Sequence, residues 1–157
     1  TVDPSYFITP DRYKSWEKWK EQKHGTVGAV ALDRYSHLAA ATSTGGRMGK
    51  LPGRIGDTPI IGAGTYASKI CAVSATGHGE YFMRHVVGYD LAARMLYGRQ
   101  SLKEAANEII NVVLRKEKAD GGLIAVDTEG NVSMPFNTNA MYRGVIRSDG
   151  TIETAIY

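Results

Sequence analysis

The stretch His24-Gly25-Thr26-Val27-Gly28-Ala29-Val30-Ala31-Leu32-Asp33 decides the fold, together with the run that follows Arg34-Tyr35-Ser36-His37 and ends in Ala41-Thr42-Ser43-Thr44-Gly45-Gly46. Two runs of small and β-branched residues parted by a polar turn predict a β-hairpin. A hairpin brings its open ends together. Thr26, at the start of the first strand, therefore becomes a neighbour of Thr44, at the end of the second. Two hydroxyls and the Gly25-Thr26 peptide bond then meet at one point.

A threonine hydroxyl is a poor nucleophile unless a base stands beside it. Thr26 gains such a base if the Gly25-Thr26 bond is cut. The freed α-amino group titrates at about 7.7 to 8.0 and can take the hydroxyl proton near neutral pH. From the hairpin alone, Thr26 reads first as an ordinary strand residue, as most Thr-Val pairs are. Thr1 is also followed by Val and is a rival nucleophile, but Asp3-Pro4 directs extended or turn geometry there rather than a rigid strand.

Residues 47–59 are dense in Gly and Pro and predict a shaped loop. Within it, Arg54 and Asp57 lie three apart across Gly56. A guanidinium beside a carboxylate matches the two charges of an amino acid, and a surface ion pair explains the two residues as well. Residues 59–64 and 70–75 predict short strands. The second runs into Thr76-Gly77-His78-Gly79-Glu80 and then a helix, an order that can aim backbone N–H groups at a developing oxyanion. Dinucleotide binding fails for want of the full glycine fingerprint in a repeated βαβ array.

Five segments, in chain order, resemble the plant-type L-asparaginase and isoaspartyl peptidase family, hydrolases with an N-terminal threonine nucleophile. They are residues 24–33 and 41–46 as quoted above, Gly53-Arg54-Ile55-Gly56-Asp57-Thr58-Pro59, Gly62-Ala63-Gly64-Thr65-Tyr66-Ala67, and Ala75-Thr76-Gly77-His78-Gly79-Glu80. The resemblance covers residues 24–157, and residues 1–23 resemble the tail of the family's α subunit. It implies that self-cleavage at Gly25-Thr26 makes Thr26 the catalytic residue and that Thr44 hydrogen-bonds and tunes it. It also implies that Thr76 and Gly77 hold the oxyanion and substrate, that Gly79 leaves room, and that Arg54 and Asp57 grip the substrate's α-carboxylate and α-amino groups. His78 is not implied as a base, since that role falls to the threonine amine. Gly121, Gly122, Asn137 and Thr138 would lie near the site.

The implied reaction is hydrolysis of L-asparagine to aspartate and ammonia, of β-aspartyl dipeptides, or of both. A glycosylasparaginase-like hydrolase shares much of this chemistry. A non-catalytic structural or regulatory subunit, or an uncut inactive precursor, is the reading from another class. An unrelated hydrolase built on Ser43 or His78 lacks any Gly-x-Ser-x-Gly elbow.

By the same resemblance the fold is α+β, half of a four-layer αββα sandwich. Residues 1–25 would be the α-subunit tail and linker, and residues 26–157 the catalytic β subunit of one domain. An α segment absent from these residues would supply the other half, and the heterodimers would pair into a dimer of heterodimers. No cofactor is required, and a structural alkali-metal ion would be bound mainly by that α segment.

With 43% apolar and 22% charged residues among 157, the chain has material for one core. The net charge of +3 and pI near 9.0 argue only weakly for an acidic partner. Arg34, Arg47, Lys50 and Arg54 gather around the presumed site, and the lack of a basic run with interleaved aromatics speaks against nucleic acid. The single cysteine, Cys71, excludes an intramolecular disulfide and suits a buried apolar place in a reducing cytoplasm. No apolar run approaches the roughly 18 residues of a membrane span. The His residues are too dispersed for a metal set.

Thr9-Pro10-Asp11 predicts a helix start, with an aromatic face of Tyr13, Trp16 and Trp19, then a polar linker from Lys18 to His24. Phe82, Val86, Tyr89, Leu91, Ala93, Met95 and Leu96 predict one helix over 80–97, ended by Gly98. Ser101-Leu102-Lys103-Glu104 predicts a capping box opening a helix to Leu114, with Ala105, Ile109, Val112 and Val113 inward. Strands over 123–127, 132–134 and 152–157 complete an α+β order.

Overall fold

The computed structural model describes residues 9, 10, 13, 14, 25–47 and 49–157. At the first of these, the Tyr13 N–H donates to the Thr9 carbonyl at 2.9 Å, one helical turn. Thr1, Trp16, Trp19 and the linker from Lys18 to His24 lie outside the described residues.

The expected hairpin forms from β1 (Thr26–Leu32) and β2 (Leu38–Thr44), antiparallel, with Thr26 directly opposite Thr44. Asp33 builds its closed end. One carboxylate oxygen accepts the N–H groups of Tyr35 (2.7 Å) and His37 (2.8 Å), and these bonds hold the Asp33 carboxyl below its ordinary range, the His37 N–H contributing most. Arg34 belongs to this turn and donates to the Tyr35 hydroxyl at 2.6 Å. It therefore lies at the opposite end of the hairpin from Thr26 and does not join the basic group expected at the site.

Alternation along the hairpin gives it two faces. Gly28, Val30, Leu32, Ala40 and Thr42 are half-buried, whereas Val27, Ala29, Ala31, Ala39 and Ala41 are exposed. The half-buried face rests on a four-stranded antiparallel sheet of β3 (Thr65–Ala67), β4 (Cys71–Gly77), β5 (Gly121–Asp127) and β6 (Val132–Ser133), in that order across the sheet. β4 runs through the middle of the molecule, and Cys71, Ala72, Val73, Ser74 and Ala75 are all buried. The Cys71 thiol is pushed up to about 12 by burial, with the Asp127 charge adding to the shift.

Helices cover the far face of this sheet. They are α1 (Gly79–Arg84), α2 (Val87–Leu96) and α3 (Leu102–Glu108), the last continuing as a π-helical segment, Ile109–Leu114. Phe82, Leu91, Ile109, Ile110 and Leu114 pack on Val73 and Leu123 to form the core. Each such fully buried side chain stabilises the fold by about 1.5–3 kcal/mol. A separate two-stranded ribbon, β7 (Arg143–Ile146) with β8 (Ile152–Ala155), ends the chain. Apart from this ribbon, the described strands and helices stack in three layers: hairpin, sheet, helices.

Three expectations are corrected. Residues 59–64 are not a strand. Their hydrogen bonds close locally, Ile60 N–H to Asp57 O, Ala63 N–H to Ile60 O and Gly64 N–H to Asp57 O, and only one bridge, Ile61 to Thr65, resembles a sheet. The helix over 80–97 is two helices, broken at Val86, whose φ of 48° is left-handed. The break lets the Gly88 and Tyr89 N–H groups reach the Ala63 and Gly62 carbonyls (3.1 and 2.8 Å), and it turns Val86, Tyr89 and Leu96 outward. The Ser101 capping box is present, but the wider π-helical winding buries Ile110 and leaves Val112 exposed.

Candidate active site

Thr26 owes its place to the hairpin register. Its hydroxyl donates to the Thr44 hydroxyl at 3.2 Å. The Thr44 hydroxyl in turn donates to the Gly25 carbonyl at 3.3 Å and accepts the Gly46 N–H at 2.9 Å. A continuous hydrogen-bonded path thus runs from the Thr26 oxygen, through Thr44, to the carbonyl of the peptide bond that precedes Thr26. The Gly46 N–H fixes the Thr44 hydroxyl from behind.

Two clefts meet at Thr26, and Gly77 also lines both. The first, about 440 Å³, is walled by Thr44, Arg47, Lys50, Arg54 and Asp57. Lys50 caps its loop on the Gly45 carbonyl. The second, about 370 Å³, is walled by Thr76, His78, Gly121, Gly122 and Thr138. Thr26, Thr44, Arg54, Asp57 and Gly77 therefore share one cleft, and Thr26, Gly25, Thr76 and Gly77 the other. The position of Gly77 admits no side chain: its φ is 151°, and a Cβ there would stand 2.4 Å from the Asp120 carbonyl oxygen.

Arg54 and Asp57 face the same cleft but do not pair. Arg54 donates through Nε (2.9 Å) and Nη2 (2.7 Å) to one oxygen of Glu80, a side-on contact that fixes the guanidinium plane. Partial burial acts to raise the Glu80 carboxyl. Its own backbone N–H and the Arg54 contact outweigh that and leave it below the usual range. Asp57 is buried, and one of its carboxylate oxygens has no hydrogen-bond partner among the described residues. Burial raises its carboxyl above the ordinary range, against the pull of its own backbone N–H and the Arg54 charge. Gly79 lines neither cleft. It lies behind Asp57, where a Cβ would come within 2.6 Å of a carboxylate oxygen.

Two further residues have supporting positions. Asn137 accepts the Gly121 N–H (2.7 Å) and donates to the Ile110 and Ala119 carbonyls (3.2 and 2.9 Å), which ties the start of β5 to the end of the helical layer. His78 accepts the Asp120 N–H through Nδ1 at 3.4 Å. Glu80 is the site residue that sequence reasoning missed. The only signal was a carboxylate in the first turn of the helix that follows the glycine turn, 26 residues from its partner.

The sequence pattern of the asparaginase family matches residues 10–156. The chain is 54% identical to the isoaspartyl peptidase of Escherichia coli strain K12 over 139 residues, 88% of this chain and 43% of that protein. It is 46% identical to the isoaspartyl peptidase of Salmonella typhimurium over 173 aligned positions, 99% of this chain and 55% of that protein. A Dictyostelium discoideum relative is 58% identical over 131 residues, 83% of this chain and 38% of that protein. A threonine paired across a hairpin with a second threonine, between two clefts, is thus found in a sequence of well-populated kinship, and the chain belongs to the asparaginase family. It spans between about two-fifths and just over half the length of these relatives.

Proposed function

We propose that the protein is an amidohydrolase in which Thr26, freed by cleavage at Gly25-Thr26, hydrolyses the side-chain amide of L-asparagine or the β-linked bond of β-aspartyl dipeptides. The observation that carries this reading is the Thr26–Thr44–Gly25 hydrogen-bonded path. It joins the nucleophile to the carbonyl it must attack.

In the uncut chain the Thr26 nitrogen is an amide and cannot act as a base. The Thr26 oxygen adds to the Gly25 carbonyl carbon as its proton passes to the Thr44 hydroxyl and the Thr44 proton passes to the carbonyl oxygen. From there the proton moves to the nitrogen as the adduct collapses. Collapse breaks the C–N bond, the nitrogen leaves protonated as an amine, and an ester joins Gly25 to the Thr26 oxygen. Water then cleaves the ester. In turnover, the new amine takes the Thr26 hydroxyl proton. The substrate's carboxylate lies on Arg54 and its ammonium on Asp57, while the Thr76 hydroxyl and the Gly77 N–H receive the developing oxyanion. The leaving amine takes a proton from the Thr26 ammonium, and water releases aspartate from the acyl-enzyme.

An upstream segment completes the four-layer sandwich, leaving residues 26–157 as one chain of a heterodimer that pairs with a second heterodimer in the cytoplasm. The expected alkali-metal ligands belong to that segment, and the ion enters no step above. The test is intact mass of the full-length protein after incubation near neutral pH. A fragment beginning at Thr26 is expected in the parent protein and not in Thr26→Ala, which also loses asparagine hydrolysis. A Thr26→Ala protein that still yields two chains at this bond would sink the assignment.

A further inference from the structure

The proposed nucleophile and the proposed oxyanion groups sit on different sheets. Thr26 is on β1 of the hairpin, and Thr76 and Gly77 are on β4 of the four-stranded sheet. Their separation is therefore set by how closely two stacked sheets approach. Side chains normally hold stacked sheets about 10 Å apart. Near the site the two sheets leave no room for a side chain at one point, where Gly28 lies against Ser74. A Cβ on Gly28 would stand 2.1 Å from the Ser74 hydroxyl oxygen and 2.8 Å from its Cβ.

The side chains on one face of a strand recur every second residue. Gly28 is two residues from Thr26 on the same face of β1, and Ser74 is two residues from Thr76 on the same face of β4. The contact thus lies about 7 Å along the strands from the reacting groups on both sides. Ser74 is itself held. It is 4% exposed and shares a hydrogen bond of 2.7 Å with Thr42. Thr42 is the residue opposite Gly28 on β2. Thr42 also accepts from Thr65 at 2.6 Å, and Thr65 reaches the Thr58 carbonyl at 3.1 Å. The serine therefore cannot swing away to admit a larger neighbour without breaking a part-buried hydroxyl cluster.

We infer that the Gly28–Ser74 contact is the spacer that fixes the gap between the Thr26 hydroxyl and the oxyanion groups, which makes Gly28 and Ser74 positioning residues for the reaction. The inference rests on the Thr26 reading above. The carboxylate and ammonium subsites stand on the loop that carries Arg54 and Asp57, so the spacer governs the chemical step and leaves substrate binding largely untouched.

The test uses the full-length protein with L-asparagine. Gly28→Ala forces the sheets apart, and kcat is expected to fall about ten- to a hundredfold with KM within about twofold. Adding Ser74→Gly in the same protein removes both clashing atoms and is expected to restore kcat. Loss of packing alone would lower thermal stability without this split between kcat and KM. Unchanged kcat in Gly28→Ala would overturn the inference, as would a folded double variant as slow as the single one. If Gly28→Ala does not fold, Ser74→Gly alone decides. A lower kcat at unchanged KM supports the spacer, and an unchanged kcat overturns it. Thr26→Ala separates the two levels: retained self-cleavage and turnover there would remove the Thr26 reading itself, whereas an inert Thr26→Ala beside a fully active Gly28→Ala would remove only the spacer.

Discussion

Arg54 and Asp57, opposite charges three positions apart in one loop, are held in two different ways. Arg54 is neutralised side-on by Glu80, while Asp57 is buried with an unpartnered oxygen and its carboxyl raised, chiefly by burial. A carboxyl whose folded value lies above its unfolded value favours the fold most when neutral, and that advantage is lost as pH rises through the folded value. Asp57→Asn is therefore expected to be more stable than the parent at neutral pH, on the order of 1 kcal/mol. The gap should close as pH falls below the ordinary aspartate range. Thermal melts across that pH range check it, and a gap that stays constant would show that Asp57 carries no linkage. In the proposed reaction the ionised form binds the ammonium, so KM should begin to rise on acidification at a higher pH than an ordinary carboxylate would give. Glu80→Gln leaves the Arg54 guanidinium without its charged partner. KM is expected to rise about tenfold with kcat nearly unchanged, and steady-state kinetics at fixed pH reads this directly. That Arg54 and Asp57 would stand along one cleft was legible because only two residues separate them in one glycine-rich loop; that they would not pair with each other was not. Glu80 was not, because only the fold brings residue 80 to residue 54.

Between residues and the whole, the elements divide by what determines them. The hairpin was legible because its alternation and its Asp33 turn are local, and the Ser101 cap was legible because a capping box spans only four residues. The break at Val86 was not, because it answers to carbonyls on Gly62 and Ala63, more than twenty residues upstream. The same contact explains why residues 59–64, two isoleucines and three small neighbours with the look of a strand, turn instead and offer those carbonyls outward. A β-branched residue in the left-handed region costs about 1–2 kcal/mol, and glycine returns part of that through its freer unfolded chain. Val86→Gly is expected to stabilise the protein by about 0.5–1 kcal/mol. A denaturant midpoint that falls instead would show that the Val86 side chain, near Gly62, contributes more by packing than its backbone costs.

For the molecule as a whole, β4 is the strand on which both the core and the site depend. It lies between hairpin and helices, carries Ser74 and Thr76 toward the clefts, and buries Cys71 completely at its other end. That last feature makes the chain a gauge of its own integrity. A thiol with no accessible surface, raised to about 12, has almost no reactive thiolate while the layers are closed. An alkylating reagent therefore reaches Cys71 only in molecules whose central strand has come open. Under such gating the labelling rate at Cys71 should climb with denaturant along the same slope as global unfolding, followed by mass spectrometry of the Cys71 peptide. A rate indifferent to denaturant would mean that the strand breathes locally. Because the free end of β4 borders the reaction and the thiol end is sealed, tracking both in one sample reports whether activity and architecture fail together or in sequence.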